Sequence, residues 1–299
     1  MREFATGQPA SLRIKARDLR KFACWYEGFG QPAGQWTPGV TQDYLNDLPV
    51  QPRTANRVRA HLKGFADWLM RFLRLGWHPL DGIKGSKVPL LEAKRLDPEE
   101  IARLHRVLRE GFFETRKDLN RFKPGQAPLP EWARPFRDRA IVELLLGSGI
   151  RVGALVNLNV DHFKPELKML SGVQEKGVQI RDIALSTRAV AAVQAYLNQE
   201  RPTDAADWDS PALFLAQAKW ARDRGDGRLT YNVIYRMVHK LGERAQIPNL
   251  NPHRFRHHLA FELLEAGGLP AVVAQLGHQN PSSSLAYLQM PVQNLLQTP

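Results

Sequence analysis

One apolar stripe constrains this chain more than any other feature of its sequence. Between Thr54 and Leu75 apolar residues recur at spacings of four, three, four and three, which is the period of one face of an α-helix. The five positions are Val58, Leu62, Phe65, Leu69 and Phe72. Because such a helix is stable in water only when its apolar face is packed, we expect a helical N-terminal region with this stripe in its core.

Helix signals continue along most of the remaining sequence. Apolar spacing, N-caps, prolines and glycine stops predict helices over residues 12–28, 41–48 (with Thr41 as N-cap), 134–146, 187–200, 231–245, 252–266, 269–276 and 282–288. Asp97-Pro98-Glu99-Glu100 is typical of a further helix start. Within 159–185 the period changes, and two short strands, 162–170 and 178–186, are expected around a glycine-containing turn. The predicted fold class is mainly α with a small β-sheet.

The length of 299 residues predicts two domains. Residues 82–95 contain glycine, proline and four basic residues after Gly82 without a helical period. We interpret this segment as a linker, so that residues 1–95 form an N-terminal helical domain and residues 96–299 a C-terminal domain.

The charge of the chain is basic and unevenly distributed. Lys and Arg number 42 against 30 Asp and Glu, a net charge of +12, which favours a polyanionic partner, most often nucleic acid. Residues 1–95 hold 16 basic and 8 acidic residues, a net +8, and residues 96–299 hold 26 and 22, a net +4. The N-terminal part is therefore expected to grip the polyanion.

Several classes of protein are excluded. The single cysteine, Cys24, cannot form an intrachain disulfide, and no Cys/His spacing predicts a metal site. The first residues lack the apolar core of a signal peptide, and the apolar runs are far shorter than the ~18 residues of a membrane span. We expect a cytoplasmic protein without a membrane segment.

The residues that can carry chemistry are scattered single positions. Arg151 follows a glycine-rich helix end in GSGIRVGAL, and Lys176 lies in EKGVQIRDIAL. His253 and Arg256 stand three apart at a helix start in NPHRFRHHLA, hence on one face. His278 and Tyr287 stand nine apart in LGHQNPSSSLAY. Each of these residues alone is better explained as an ordinary surface or core residue.

In this order the residues resemble the tyrosine recombinase (phage integrase) family, Xer-like in overall plan. That family has an arginine after a G-[LI] turn, a hairpin lysine, an H-x-x-R helix start, an L-G-H and a tyrosine nine residues later. The resemblance spans nearly the whole chain, and in the hairpin Arg181 and Leu185 also match. It implies six catalytic residues in this chain: Arg151, Lys176, His253, Arg256, His278 and Tyr287.

The resemblance also implies a reaction. Two guanidiniums, Arg151 and Arg256, contact the non-bridging oxygens of a DNA phosphodiester, and His278 adds a hydrogen bond. Tyr287 is the nucleophile, His253 its base or a phosphate donor, and Lys176 the general acid. The products are a 3′-phosphotyrosyl intermediate and a free 5′-hydroxyl, and no metal, cofactor or ATP is required.

The architecture that the resemblance implies is a C-shaped DNA clamp, with a core-binding domain and a mixed α/β catalytic domain of the tyrosine recombinase fold. The partner is double-stranded DNA with inverted-repeat core sites. Exchange through a four-way (Holliday) junction needs four subunits, so a homo-tetramer is implied, with accessory proteins and a nucleoid-associated location. Residues 291–299 are either a segment exchanged between subunits or a frayed tail.

Candidate DNA-binding residues follow from the charge distribution and the resemblance. They are Arg57, Arg59, Lys63, Lys84, Lys87 and Arg181. Residues 1–95 alone are expected to bind DNA. Arg181 is expected to support the hairpin or touch phosphate without being catalytic.

The sequence departs from the family pattern at three positions. Ala154 stands where the family carries an acid that helps to hold the first arginine, so Arg151 needs another partner. His258 replaces a small hydroxyl residue, and Glu175 replaces the first glycine of the hairpin. Because of Glu175, Lys168 is the alternative to Lys176 as the general acid.

Rival functions remain open at this point. A type IB topoisomerase or a telomere-resolving enzyme uses the same Arg, Lys and Tyr chemistry with a different substrate and number of partners. A non-catalytic DNA-binding relative would keep the fold without needing Tyr287. A basic RNA-binding protein would leave the ordered spacing of the six residues unexplained.

Overall fold

The computed structural model describes residues 9–28, 30, 35–73, 76–87, 95–110, 133–175, 180–217 and 225–277. The chain divides into two compact units, Met1–Leu91 and Glu92–Pro299. The assignment of DNA binding to residues 1–95 and of catalysis to residues 96–299 stays a prediction.

The described part of the first unit contains helices, which are α1 Pro9–Gly28, α2 Pro38–Asp47 and α3 Pro52–Leu73. On α3, Val58 and Leu62 are buried, and Phe65 and Leu69 pack against the same core. The predicted stripe is thus confirmed at four positions. It is wrong at Phe72, which lies in the last turn of α3 and is 55% exposed, because the core that covers the middle of the helix does not extend to its end.

The start of α2 corrects one sequence prediction. The N-cap is Thr37, whose hydroxyl accepts a backbone N–H of the first turn, with Pro38 as the first helical residue. Thr41, the predicted cap, is buried inside the helix instead. Its hydroxyl donates to Pro79 O and accepts from Trp36 Nε1, both at 2.7 Å. A proline at the first helical position needs no N–H partner, which favours the earlier start.

The second unit carries the remaining described helices. They are α4 Pro98–Arg109, α5 Pro135–Ser148, α6 Val152–Leu155, α7 Thr187–Gln199, α8 Arg201–Ala205, α9 Tyr231–Arg244 and α10 Pro252–Leu276. The predicted start of α4 is confirmed as a capping box. The Asp97 side chain accepts from Glu100 N at 2.6 Å, and the Glu100 side chain accepts from Asp97 N at 3.1 Å.

A small antiparallel sheet follows α6, in the order β1 Phe163–Lys164, β2 Met169–Gln174 and β3 Ile180–Ala184. The prediction of one strand over 162–170 is wrong. A tight turn at 165–168 divides it, and Lys168 takes the left-handed conformation there (φ 48°). The small sheet itself, and with it the mainly helical fold class, is confirmed.

Helix α5 lies at the centre of the second unit, packed against both α7 and α10. Residues 140–145 are all buried, Glu143 among them, so the middle of this helix is enclosed by the core on every side. Its C-terminus at Gly149 is thereby brought next to α10.

Helix α10 is interrupted at Gly268, whose backbone is not helical (φ 68°, ψ −168°). This break confirms the separate helices predicted over 252–266 and 269–276. By length and composition alone Pro252–Leu276 could cross a membrane, but neither part alone reaches the ~20 residues of a membrane span. The predicted helix 282–288 lies outside the described residues.

Candidate active site

Arg256 connects three parts of the second unit that are far apart in sequence. It lies in the first turns of α10 and is 6% exposed. Its Nη1 donates to Gly149 O at 2.6 Å and its Nη2 donates to Leu276 O at 2.5 Å. One guanidinium is therefore held by the main chain at the end of α5 and at the end of α10.

Two glycines make this close approach possible. Gly149 caps α5 in the left-handed conformation (φ 63°), and an added Cβ would lie 2.6 Å from Leu276 Cδ2. Gly277 follows α10 with φ 60°, and an added Cβ would lie 2.8 Å from Arg181 Nε. Both positions thus need glycine for conformation and for space.

Arg151 extends from the N-cap position of α6 and meets a carboxylate of the sheet. Its Nη1 hydrogen-bonds to Oε2 of Glu175, which directly follows β2. Arg181 on β3 donates from Nε to the same oxygen at 3.3 Å, and Arg256 Nη1 lies 4.0 Å from Glu175 Oε1. The Glu175 side chain is 4% exposed, whereas that of Arg151 is 32% exposed.

Arg181 also contacts the end of α10. Its Nη1 donates to Gln275 O at 2.8 Å in the last turn of α10. The Gln275 side chain in turn donates to Ser148 O and Ala184 O. The hairpin, the end of α5 and the end of α10 are thereby joined by direct hydrogen bonds.

Two histidines of α10 lie beside the arginines. The pKa of His253 is lowered from its ordinary value, first by desolvation of the ring and then by the charges of Arg256 and Arg151. Desolvation, His253 and Arg256 lower the pKa of His257 in the same direction. Since an unperturbed histidine titrates near pH 6.5, both rings are neutral at neutral pH, and each has an unprotonated nitrogen.

Three of the six predicted catalytic residues are thus brought together, namely Arg151, Arg256 and His253. The other three, Lys176, His278 and Tyr287, lie outside the described residues. Glu175, which directly precedes Lys176 in the sequence, contacts Arg151. Gly277, which directly precedes His278, lies so close to Arg181 that an added Cβ would be 2.8 Å from its Nε.

The alternative general acid, Lys168, stands at the other end of β2. It precedes the strand, whereas Glu175 follows it, and six strand residues span about 20 Å. Its Nζ is 3.3 Å from Thr187 Oγ1.

The predicted DNA-binding residues of the first unit make internal contacts. Arg57 Nε donates to Asp18 at 3.1 Å, Arg59 Nη1 to Ile83 O at 3.1 Å and Lys63 Nζ to Asp67 at 2.9 Å. In the linker, Lys84 and Lys87 are exposed. The role of all five basic residues in DNA binding stays a prediction.

From the sequence, Glu175 was only a departure from the hairpin pattern, and His257 had no predicted role. Two features of the sequence could have identified Glu175 as the partner of Arg151: it is a carboxylate where the pattern has glycine, and the acid of the pattern is replaced by Ala154. His258, the third departure, is buried with its Nε2 3.3 Å from Glu262 Oε1. Among the residues described, no group of three or more His, Cys, Asp or Glu could hold a metal ion.

Comparison with known proteins gives the class of this protein. The family model described as "Phage integrase family" matches residues 127–293. A tyrosine recombinase XerC from Chromohalobacter salexigens is 30% identical over 295 residues, covering 96% of this chain and 88% of that protein. A second, from Psychromonas ingrahamii, is 27% identical over 277 residues, covering 92% and 81%.

Solved structures show the same fold. The XerH site-specific recombinase bound to difH substrate has a TM-score of 0.68 at 17% identity, with 95% of this chain and 77% of that chain covered. The Tn1549 transposon integrase in complex with circular intermediate DNA has a TM-score of 0.67 at 17% identity, with 99% and 96% covered.

The chain therefore belongs to the phage integrase family. Members of this family are tyrosine recombinases, so it is an enzyme of site-specific recombination that cuts and rejoins strands of its partner, DNA. The predicted family, fold class and enzyme class are confirmed. The topoisomerase, telomere-resolving and non-catalytic alternatives are not favoured.

Proposed function

We propose that this recombinase cuts DNA through a 3′-phosphotyrosyl bond to Tyr287, at a site formed by Arg151, Arg256 and His253. The observation that carries this proposal is the convergence of the two arginines around the ends of α5 and α10. Lys176, His278 and Tyr287 complete the proposed site.

The two arginines suit an anionic phosphodiester for different reasons. Arg256 stays charged at any working pH and is preorganised by its two main-chain acceptors. Arg151 is fixed at one nitrogen by Glu175 and keeps a third of its side chain exposed for a ligand. Together they would neutralise charge that builds up on the non-bridging oxygens in the transition state.

The proposed step exchanges one phosphoester bond for another. The Tyr287 oxygen forms a bond to phosphorus as the bond from phosphorus to the 5′-oxygen breaks. The tyrosine proton passes to neutral His253, and Lys176 protonates the leaving 5′-oxygen. His278 donates a hydrogen bond to a phosphate oxygen. Lys176 is preferred over Lys168 because its neighbour Glu175 contacts Arg151.

Strand exchange would then run in reverse with a new 5′-hydroxyl. We propose that four subunits act on two duplexes with inverted-repeat core sites and pass through a Holliday junction. The proposal also includes accessory proteins, exchange of residues 291–299 between subunits, and a cytoplasmic, nucleoid-associated location. The basic first unit, with Arg57, Arg59 and the linker lysines, would hold the duplex by its phosphates.

The experiment uses the full chain and a nicked suicide duplex, whose half-site is obtained by selecting bound duplexes from a random library. We expect a covalent protein–DNA adduct with the wild type and none with Tyr287→Phe. Tyr235→Phe, which changes an exposed tyrosine of α9, is the matched control and should still form the adduct.

Two results would contradict the proposal. If the wild type binds the selected duplex tightly but forms no adduct, the covalent mechanism is wrong. If Tyr287→Phe still forms the adduct, another residue is the nucleophile.

A further inference from the structure

The acid that would hold Arg151 is missing from its expected place in this chain. Position 154, three residues after Arg151, is alanine and is buried in the apolar core. We propose that Glu175 is a positioning residue that orients Arg151 for the scissile phosphate, in place of an acid at position 154. This inference rests on the proposed function.

The geometry of Glu175 fits this role. Its Oε2 accepts from Arg151 Nη1 and from Arg181 Nε, and its Oε1 faces Arg256 Nη1 at 4.0 Å. One buried carboxylate is thus shared by three guanidiniums. Because like charges repel strongly where water is scarce, the carboxylate is what permits three arginines to stand so close. The cluster still keeps a net charge of +2 for an anionic ligand.

The position of Glu175 at the end of the β2–β3 ladder holds its carboxylate in place. Val173 pairs with Arg181 and Gln174 pairs with Ile180. Glu175 follows directly, and its Oε2 accepts from Arg181 Nε at 3.3 Å. The paired strands therefore present this carboxylate to Arg151.

A different role for Glu175 would be to mimic the DNA phosphate. The carboxylate would then have to leave Arg151 before DNA binds. The burial of Glu175 argues against it. The Glu175 side chain is 4% exposed, whereas the Arg151 side chain is 32% exposed, so Arg151 has surface left for a ligand while its carboxylate partner stays buried. The two roles also predict opposite changes in the cleavage rate when the carboxylate is removed. Loss of a positioning residue would slow cleavage, whereas loss of a phosphate mimic would speed it.

The test is a double-mutant cycle on the single-turnover rate of adduct formation with the selected suicide duplex. Glu175→Gln keeps the shape of the side chain and removes its charge. We expect it to lower the rate by about 100-fold in the wild-type background, since small misplacements of catalytic groups have effects of that size. In an Arg151→Ala background the same change should cost less than about threefold, because the residue through which Glu175 acts is gone.

Asp182→Asn is the matched control. Asp182 is a carboxylate of the same hairpin that accepts from Ser171 Oγ and Gly172 N at 2.9 Å, on the exposed side of the sheet. Its loss should leave the cleavage rate within about threefold of wild type. Circular dichroism and thermal unfolding of each variant show whether it is folded. If Glu175→Gln does not fold, Glu175→Asp, which keeps the charge on a shorter side chain, replaces it in the cycle.

Each outcome decides the question. A large loss that disappears in the Arg151→Ala background supports the positioning role. Equal losses in both backgrounds would assign Glu175 to the general stability of the unit, and an unchanged or faster rate would also overturn the proposal. If the wild type forms no adduct, it is the proposed function that has failed, which is a distinct result.

Discussion

Replacing Gly149 with alanine probes the packing that brings the two ends of the site together. The new Cβ would lie 2.6 Å from Leu276 Cδ2 and 3.1 Å from Leu259 Cδ2, on a residue with φ 63°. A left-handed conformation costs an L-residue about 1–2 kcal/mol, and overpacking a core costs about 1–3 kcal/mol. The second unit should therefore lose roughly 2–5 kcal/mol of unfolding free energy.

The assay is differential scanning calorimetry of the full chain. For a unit of this size each kcal/mol lowers the Tm by about 2–4 °C, so the transition of the second unit should fall by roughly 4–20 °C. Gly153→Ala, four residues away, is the matched control. An added Cβ there has nothing within 4 Å, and alanine in a helix gains roughly 0.5–1 kcal/mol over glycine.

Equal unfolding temperatures for both variants and the wild type would show that position 149 does not need glycine. A destabilised Gly149→Ala variant that still cuts DNA at the wild-type rate would contradict the role of Gly149 O as an acceptor for Arg256, because displacement of this oxygen should disturb the guanidinium.

Three further predictions follow from the same structure. The cleavage rate should rise with pH to a plateau with a midpoint below about 6.5, because the lowered pKa of His253 keeps this base unprotonated at neutral pH; an unchanged profile in His253→Gln would rule this out. The free energy of unfolding should fall by about 3 kcal/mol as the pH drops from about 6.5 to 4. Burial lowers the pKa of His105 to about 4 in the folded protein, so the unfolded chain takes up this proton at a higher pH than the folded chain does. The raised pKa of Glu143 changes the stability in the opposite direction. The contribution of His105 is therefore measured as the difference between wild type and His105→Gln in thermal unfolding over this pH range, and the same pH dependence in both proteins would disprove the prediction. Lys84→Ala and Lys87→Ala should each reduce the salt dependence of DNA binding by about 0.9 in slope, and a slope equal to that of the wild type would exclude phosphate contacts at these lysines.

Local signals in the sequence predicted much of the fold. The cap at Asp97, the strong stripe on α3 and the break near Gly268 each depend on residues within one or two turns of each other. Such interactions are written in the spacing of neighbouring residues. The spacing of residues did not predict the contacts of helix ends with the rest of the fold, so the N-cap at Thr41 and the burial of Phe72 were predicted wrongly.

The candidate site was predictable as a set of residue types and not as a set of contacts. Motif order singled out Arg151, His253 and Arg256. The partners of these residues lie far along the chain, since Arg256 bonds to Gly149, and Arg151 bonds to Glu175. No periodic pattern connects such positions, so only the folded arrangement of α5, α10 and the sheet could reveal them.

The two arginines of the site differ in how a mutation can reach them. Arg256 is held by carbonyl oxygens of Gly149 and Leu276, which every amino acid supplies, so no substitution at those positions deletes the acceptor itself. Arg151 is held by a side chain, Glu175, and one codon change removes it. The orientation of Arg151 is therefore the part of this centre most open to evolutionary tuning, and a carboxylate arriving from a different segment can take over the task without rebuilding the rest.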